Sequence, residues 1–186
     1  PIYYNTLSAD PDISLSRRVR NGYGSITINC RDYPLNISGL RRAFAFAFDK
    51  TRVRNEVMDS FSIDHDSLVP SANGWCIEDD LPYHYYAPLT DVGNQILDEA
   101  GFDINPNTGY RLAPDGSEFN VVIEYPSAEI SGGTCQIGVD ALQALHVNAE
   151  TRAGGFHEIV ARVVNHGDYD MVFYASNFES GDVDWL

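Results

Sequence analysis

Residues 39–50, GLRRAFAFAFDK, limit the possible folds more than any other tract of the chain. Phe44, Phe46 and Phe48 alternate with alanines at the period of a strand, and that alternation is the only argument for one. Alanine is the best helix former and a poor strand former, and Ser38 stands where it can cap a first turn. In a helix, phenylalanines two apart lie on nearly opposite sides, so 43–48 is apolar almost all round. Such a helix must be covered on every side, which predicts a buried core helix. Val53, Val57 and Met58, after Asp49-Lys50, predict a second one.

The remaining elements alternate around that helix. Residues 23–29 alternate as a strand, with Ile26 and Ile28 on one face. Thr90 is placed to cap a helix carrying Val92, Ile96, Leu97 and Ala100; Gly101 suits its C′ position, and Phe102 can fold back onto it. Residues 119–125 read as a strand ended by Pro126. A helix follows from 128 or 131 to 148, its start weakened by Gly132-Gly133. A short helix over 156–164 leads through Gly167 to a strand at 169–174. This order predicts an α/β fold, a mixed central sheet flanked by helices. Residues 60–88 carry no period and form a long irregular connection, of the kind that functions or packs over something. Asn107-Thr108-Gly109 and Pro114-Asp115-Gly116 bracket a hairpin-like piece.

Composition excludes several functions. Acidic residues outnumber basic ones 27 to 12, a formal charge of −15. Spread over a folded surface near ~9,000 Å², that field repels nucleic acid and anionic membranes. No stretch approaches the length of a membrane span. His157-Glu158 opens like a zinc-protease motif, but Ala161 stands where the second histidine belongs. Cys76 with His84, or His157 with His166, supplies two metal ligands each, short of a site. Asp103, Asn105 and Asn107 alternate like a calcium loop but lack its glycine and its closing glutamate, which leaves an Asx-rich turn. Gly22-Tyr23-Gly24 precedes a strand and cannot cradle a phosphate. Asn36-Ile37-Ser38 has the form of a glycosylation sequon. Cys30, Cys76 and Cys135 allow one disulfide and a free thiol, or three thiols. No cofactor, metal or catalytic residue is expected. Trp75, Tyr83, Tyr85, Tyr86, Tyr174, Phe178 and Trp185 fall in loops or at element ends, suited to a ligand pocket or to covering a sheet edge.

Four stretches in order carry a resemblance. They are Pro34-Leu35 followed by Leu40-Arg41-Arg42-Ala43-Phe44-Ala45-Phe46-Ala47-Phe48-Asp49-Lys50; residues 86–102, ending Leu97-Asp98-Glu99-Ala100-Gly101-Phe102; Asp115-Gly116 before the strand at 120–124; and Gly167-Asp168-Tyr169-Asp170-Met171. Together they resemble the extracytoplasmic solute-binding proteins of the oligopeptide/dipeptide-binding family (family 5), receptors of ATP-driven ABC importers. The resemblance implies a periplasmic-binding-protein-like lobe, truncated relative to the two-lobed receptor. Residues 1–21 would be an inter-lobe connecting segment, and 22–186 the second, C-terminal lobe, incomplete at its end.

The same resemblance implies a non-enzymatic function. A small solute or short peptide is held between this lobe and a first lobe of the same polypeptide and handed to a membrane permease. The protein would be extracytoplasmic and anchored by a segment outside this chain. In the family an aspartate a few residues beyond the last strand commonly pairs with a peptide's amino group; here Glu179 stands in its place, and Ser176 stands where peptide-binding members often carry tryptophan. Other members carry sugars or nickel complexes. Ser176, Asn177, Phe178 and Glu179, with Trp75 and Tyr85 from the long connection, are the expected ligand contacts. The alternatives are a small α/β hydrolase or metal-dependent enzyme, favoured by a convergent Cys/His/Asp pocket or a bound metal with three protein ligands, and a signalling or interaction module of the same fold, favoured by a self-filled rim.

Overall fold

A computed structural model describes residues 3–16 and 18–178 of the chain. After a short helix α1 (Tyr4–Ser8) come β1 (Gly22–Ile28), α2 (Ser38–Ala47), α3 (Lys50–Arg52) and α4 (Thr90–Glu99). The second half runs β2 (Val121–Pro126), α5 (Glu129–Ala144), β3 (Ala149–Gly154), α6 (Phe156–Val160) and β4 (Met171–Asn177). The four strands form one mixed sheet in the order β1-β4-β2-β3. β2 runs parallel to both β3 and β4, and β1 pairs antiparallel with β4.

The phenylalanine tract is helical, and its all-round apolarity is used. Leu40, Ala43, Phe44 and Ala47 are buried in the core. Phe46 faces away from the sheet and is covered by loop aromatics, its ring 4.9 Å from Tyr85 and 5.9 Å from Tyr83. Ser38 is the first helical residue rather than the cap: Ile37 occupies the cap position with no side-chain bond. Thr90 likewise lies inside its helix, behind Leu89. The side chain that does cap is Asp49, which accepts from the Arg52 amide at 2.7 Å and restarts the chain as α3. The second predicted helix continues as a π-helical turn, Val53–Val57.

α4 closes as its sequence predicts. Gly101 has φ +83°, the Phe102 amide donates to the Leu97 carbonyl at 3.0 Å, and Phe102 is wholly buried. α5 packs on the sheet face presented by Ile123, and Gly138 permits that approach: a Cβ there would stand 2.8 Å from Ile123 Cδ1. α6 and the π-helical turn Ala161–His166 lie on the opposite face, where Glu124 is 2% exposed and pairs with Arg152 at 3.2 Å and with Arg162.

Two boundaries differ from expectation. α5 ends at Ala144 rather than 148, because His146 turns left-handed at φ +60°. The chain then forms β3, an edge strand with no clear alternation: of its six residues only Ala149 is buried. β4 extends to Asn177, so Ser176 and Asn177 are strand residues rather than residues past its end. Residues 60–88 are irregular apart from a 3₁₀ turn at Glu78–Asp80. All three cysteines are free.

Candidate binding rim and loop cluster

The parallel strands β2, β3 and β4 end at the same edge of the sheet at which β1 begins. In α/β sheets ligands bind beyond such carboxyl ends. Along β4, Met171, Val172 and Phe173 are buried, while Ala175, Ser176 and Asn177 are exposed. β4 pairs with β2 only at Met171 and Val172, opposite Ile123 and Glu124, whereas its pairing with β1 continues to Asn177. The two central strands therefore stop pairing with each other before their ends. The other end of the sheet is closed, with the Asn29 side chain donating to the carbonyls of Gly167 (3.1 Å) and Tyr169 (2.9 Å).

The rim has a fixed frame. Phe178 is buried, its amide donates to the Asn21 carbonyl at 2.8 Å, and the Asn21 amide side chain donates to the Phe178 carbonyl at 3.0 Å. Its ring lies 5.5 Å from Tyr23. Arg20 donates to the Asn177 side chain. Burial pushes the Tyr174 phenol up. Ser176 and Asn177 are thus brought together on an anchored, solvent-facing strand end, while Phe178 serves as the anchor. Glu179 lies outside the described residues.

Trp75 and Tyr85 sit elsewhere, in the 60–88 loop. Val57 packs against Gly133 in the first turns of α5, the helix that follows β2, so the loop departs toward the carboxyl edge of the sheet. It returns at Tyr86, whose carbonyl accepts from the Lys50 (3.1 Å) and Thr51 (3.2 Å) amides. Tyr85 is spent on the Phe46–Tyr83 stack, 4.8 Å from Tyr83; Trp75 is 69% exposed.

Sequence reasoning missed the polar centre of this loop. The Glu78 carboxylate accepts from the Asp66 (2.9 and 3.0 Å) and Ser67 (2.7 Å) amides and from the Tyr86 hydroxyl. Burial pushes its carboxyl up, but hydrogen bonds from Tyr86, Ser67 and Asp66, together with nearby His65, outweigh that and hold it below the ordinary range. Burial and the Glu78 carboxylate push the Tyr86 phenol up. Asp66 pairs with Lys50 and accepts from the Tyr85 amide at 2.8 Å. Beside the cluster lies a cavity of about 380 Å³, lined by Arg54, Asp64, His65, Cys76, Glu78 and Tyr86 among others. The only advance signal was that a loop of this length usually does something.

The sequence pattern described as bacterial extracellular solute-binding proteins, family 5 Middle, matches residues 1–186. The oligopeptide-binding protein OppA of Lactococcus lactis subsp. cremoris is 31% identical over 98 residues, covering 53% of this chain and 16% of that protein. The fold matches AppA of Bacillus subtilis, solved with a nonapeptide, at a TM-score of 0.82 with 16% identity, over 98% of this chain and 36% of that one. It also matches a mannohexaose-bound periplasmic oligopeptide-binding protein of Thermotoga maritima at 0.75 with 22% identity, over 88% of this chain and 31% of that one. The chain thus spans about a sixth of the curated relative and about a third of the solved structures, and its mixed α/β architecture is that of periplasmic binding proteins. The chain belongs to the bacterial extracellular solute-binding proteins of family 5.

Proposed function

We propose that this chain is a lobe of an extracytoplasmic receptor that captures a small solute or short peptide for an ABC importer and performs no catalysis. The observation that carries the reading is the sheet's carboxyl edge, where β4 stops pairing with β2 and presents Ser176 and Asn177 to solvent on an anchored strand end. A first lobe supplied by the same polypeptide closes over this rim, and closure adds the contacts that shift the open–closed equilibrium. The membrane permease receives the solute from the closed receptor. Among the described residues no helix is long and apolar enough to cross a membrane.

Glu179 follows the buried Phe178 directly in sequence. We assign it the role of accepting a charge-assisted hydrogen bond from a cationic ligand group. Thermal-shift screening of the intact protein against short peptides and oligosaccharides identifies the solute, and calorimetry then compares Glu179→Gln with the parent. A hydrogen bond to a charged group is worth roughly 1.5–3 kcal/mol, so the dissociation constant should rise by about 10- to 100-fold. An unchanged constant refutes the assignment of Glu179; failure of every solute to bind the intact protein refutes the receptor reading.

A further inference from the structure

We propose that Asp66, Glu78 and His84 form a binding site for a divalent transition-metal ion, Zn²⁺ being the best match, within the 60–88 loop and independent of the solute rim. The three side chains each offer one ligand atom, and these atoms lie within 4.8 Å of one another. The decisive observation is His84 Nδ1. It is enclosed and has no hydrogen-bond partner among the described residues, yet it faces two carboxylate oxygens, Glu78 Oε1 at 3.5 Å and Asp66 Oδ2 at 3.6 Å. Those separations exceed a hydrogen bond. They match the edge of a tetrahedron around Zn²⁺: ligand distances of about 2.0–2.2 Å place neighbouring ligand atoms about 3.3–3.6 Å apart. An imidazole nitrogen without a hydrogen-bond partner can offer its lone pair to a cation held between it and the two carboxylates.

The surroundings hold these ligands as metal sites require. Tyr86 stacks on the His84 ring at 4.7 Å and donates to Glu78, fixing both orientations. His65 Nδ1 stands 3.1 Å from Glu78 Oε2, and its other nitrogen meets the Val69 carbonyl at 2.8 Å. Lys50 uses the other Asp66 oxygen, Oδ1, so its ion pair need not break. The Asp66 and Glu78 side chains are 8% and 11% exposed, which lowers the competition from water. The adjoining cavity of about 380 Å³ reaches the cluster at Glu78 and Tyr86. The ligands come from three stretches of a loop with almost no regular structure, so one ion would close that loop on itself and stabilise it.

The test uses the intact protein, stripped with a chelator and dialysed. Equilibrium dialysis against ZnCl₂ with elemental analysis should give one ion per chain, and thermal unfolding should rise with zinc concentration. His84→Ala, at a partly exposed position and with its fold checked by circular dichroism, should weaken uptake at least about tenfold; His157→Ala, an exposed histidine on α6, should leave it unchanged. Glu78→Gln provides a second ligand deletion. Absence of stoichiometric zinc uptake, or equal uptake by parent and His84→Ala, overturns the proposal.

Discussion

Replacing Arg111 by methionine removes a cation that holds two helix ends together. Arg111 is 3% exposed and lies in the hairpin-like piece after α4. Its Nε donates to the Leu145 carbonyl at 2.9 Å, where α5 ends, and its Nη1 donates to the Phe102 carbonyl just beyond α4. Nη2 reaches the Asn94 side chain at 3.0 Å, and Nη1 pairs with Asp98 at 2.6 Å. Helix carboxyl ends leave carbonyls without partners, and a cation there also suits the helix dipole. Leu145 and Phe102 are themselves fully buried, so water cannot replace the lost donor. Two stranded carbonyls at about 1–3 kcal/mol each give a cost of roughly 4 kcal/mol. For a chain of this size that lowers the melting temperature by about 8–16 °C. The Asp98 partner is 68% exposed and contributes little, so Asp98→Asn should stay within about 1 kcal/mol of the parent. Urea unfolding followed by circular dichroism at several temperatures separates the two variants. If Arg111→Met costs less than about 1 kcal/mol, or if Asp98→Asn costs as much, the guanidinium is not acting as the shared helix cap.

Two further outcomes are expected. Burial pushes the Asp170 carboxyl up, against the Val122 amide that donates to it at 2.9 Å and the nearby Arg152. A folded-state pKa above the unfolded value means that ionising Asp170 opposes folding, a penalty present above the folded pKa and relieved as pH falls through it. Asp170→Asn, which keeps an oxygen for Val122, should therefore be more stable than the parent at neutral pH. That advantage should shrink on acidification in urea midpoints, and a pH-independent difference would contradict the assignment. Burial also pushes the Cys135 thiol up to about 12, while Cys30 is exposed. A colorimetric thiol reagent should modify Cys30 in the native protein and Cys135 only after unfolding; rapid native modification of all three cysteines would refute that order.

The parts of the fold that were legible are those where one residue type answers one local demand. Alanine among phenylalanines specified a helix because strand packing has no use for alanine, and Gly101 specified a left-handed helix end. Caps were less legible: Ser38 and Thr90 have the right chemistry, but the chain enters those helices through Ile37 and Leu89, and Asp49 does the capping one element later. β3 was invisible because an edge strand can be held by its neighbour's backbone without burying its own side chains. Its backbone pairs with β2 from Ala149 to Gly154, and no apolar alternation is needed for that.

The same distinction separates the two candidate sites. The rim residues Ser176, Asn177 and Phe178 were within reach because they end a strand whose pattern is visible, and carboxyl ends are where such sheets bind. The loop cluster has no period to betray it. Its three ligand atoms converge because Lys50 and Thr51 hold the returning chain at Tyr86 while Glu78 gathers the amides of Asp66 and Ser67, both of which are tertiary facts. Taken alone, Cys76 and His84 fell short of a metal site, and no spacing sets Asp66 and Glu78 apart from the other carboxylates of a strongly acidic chain. What distinguishes Asp66 and Glu78 from the other acidic residues is burial beside an enclosed imidazole nitrogen, and burial depends on packing that no local pattern encodes.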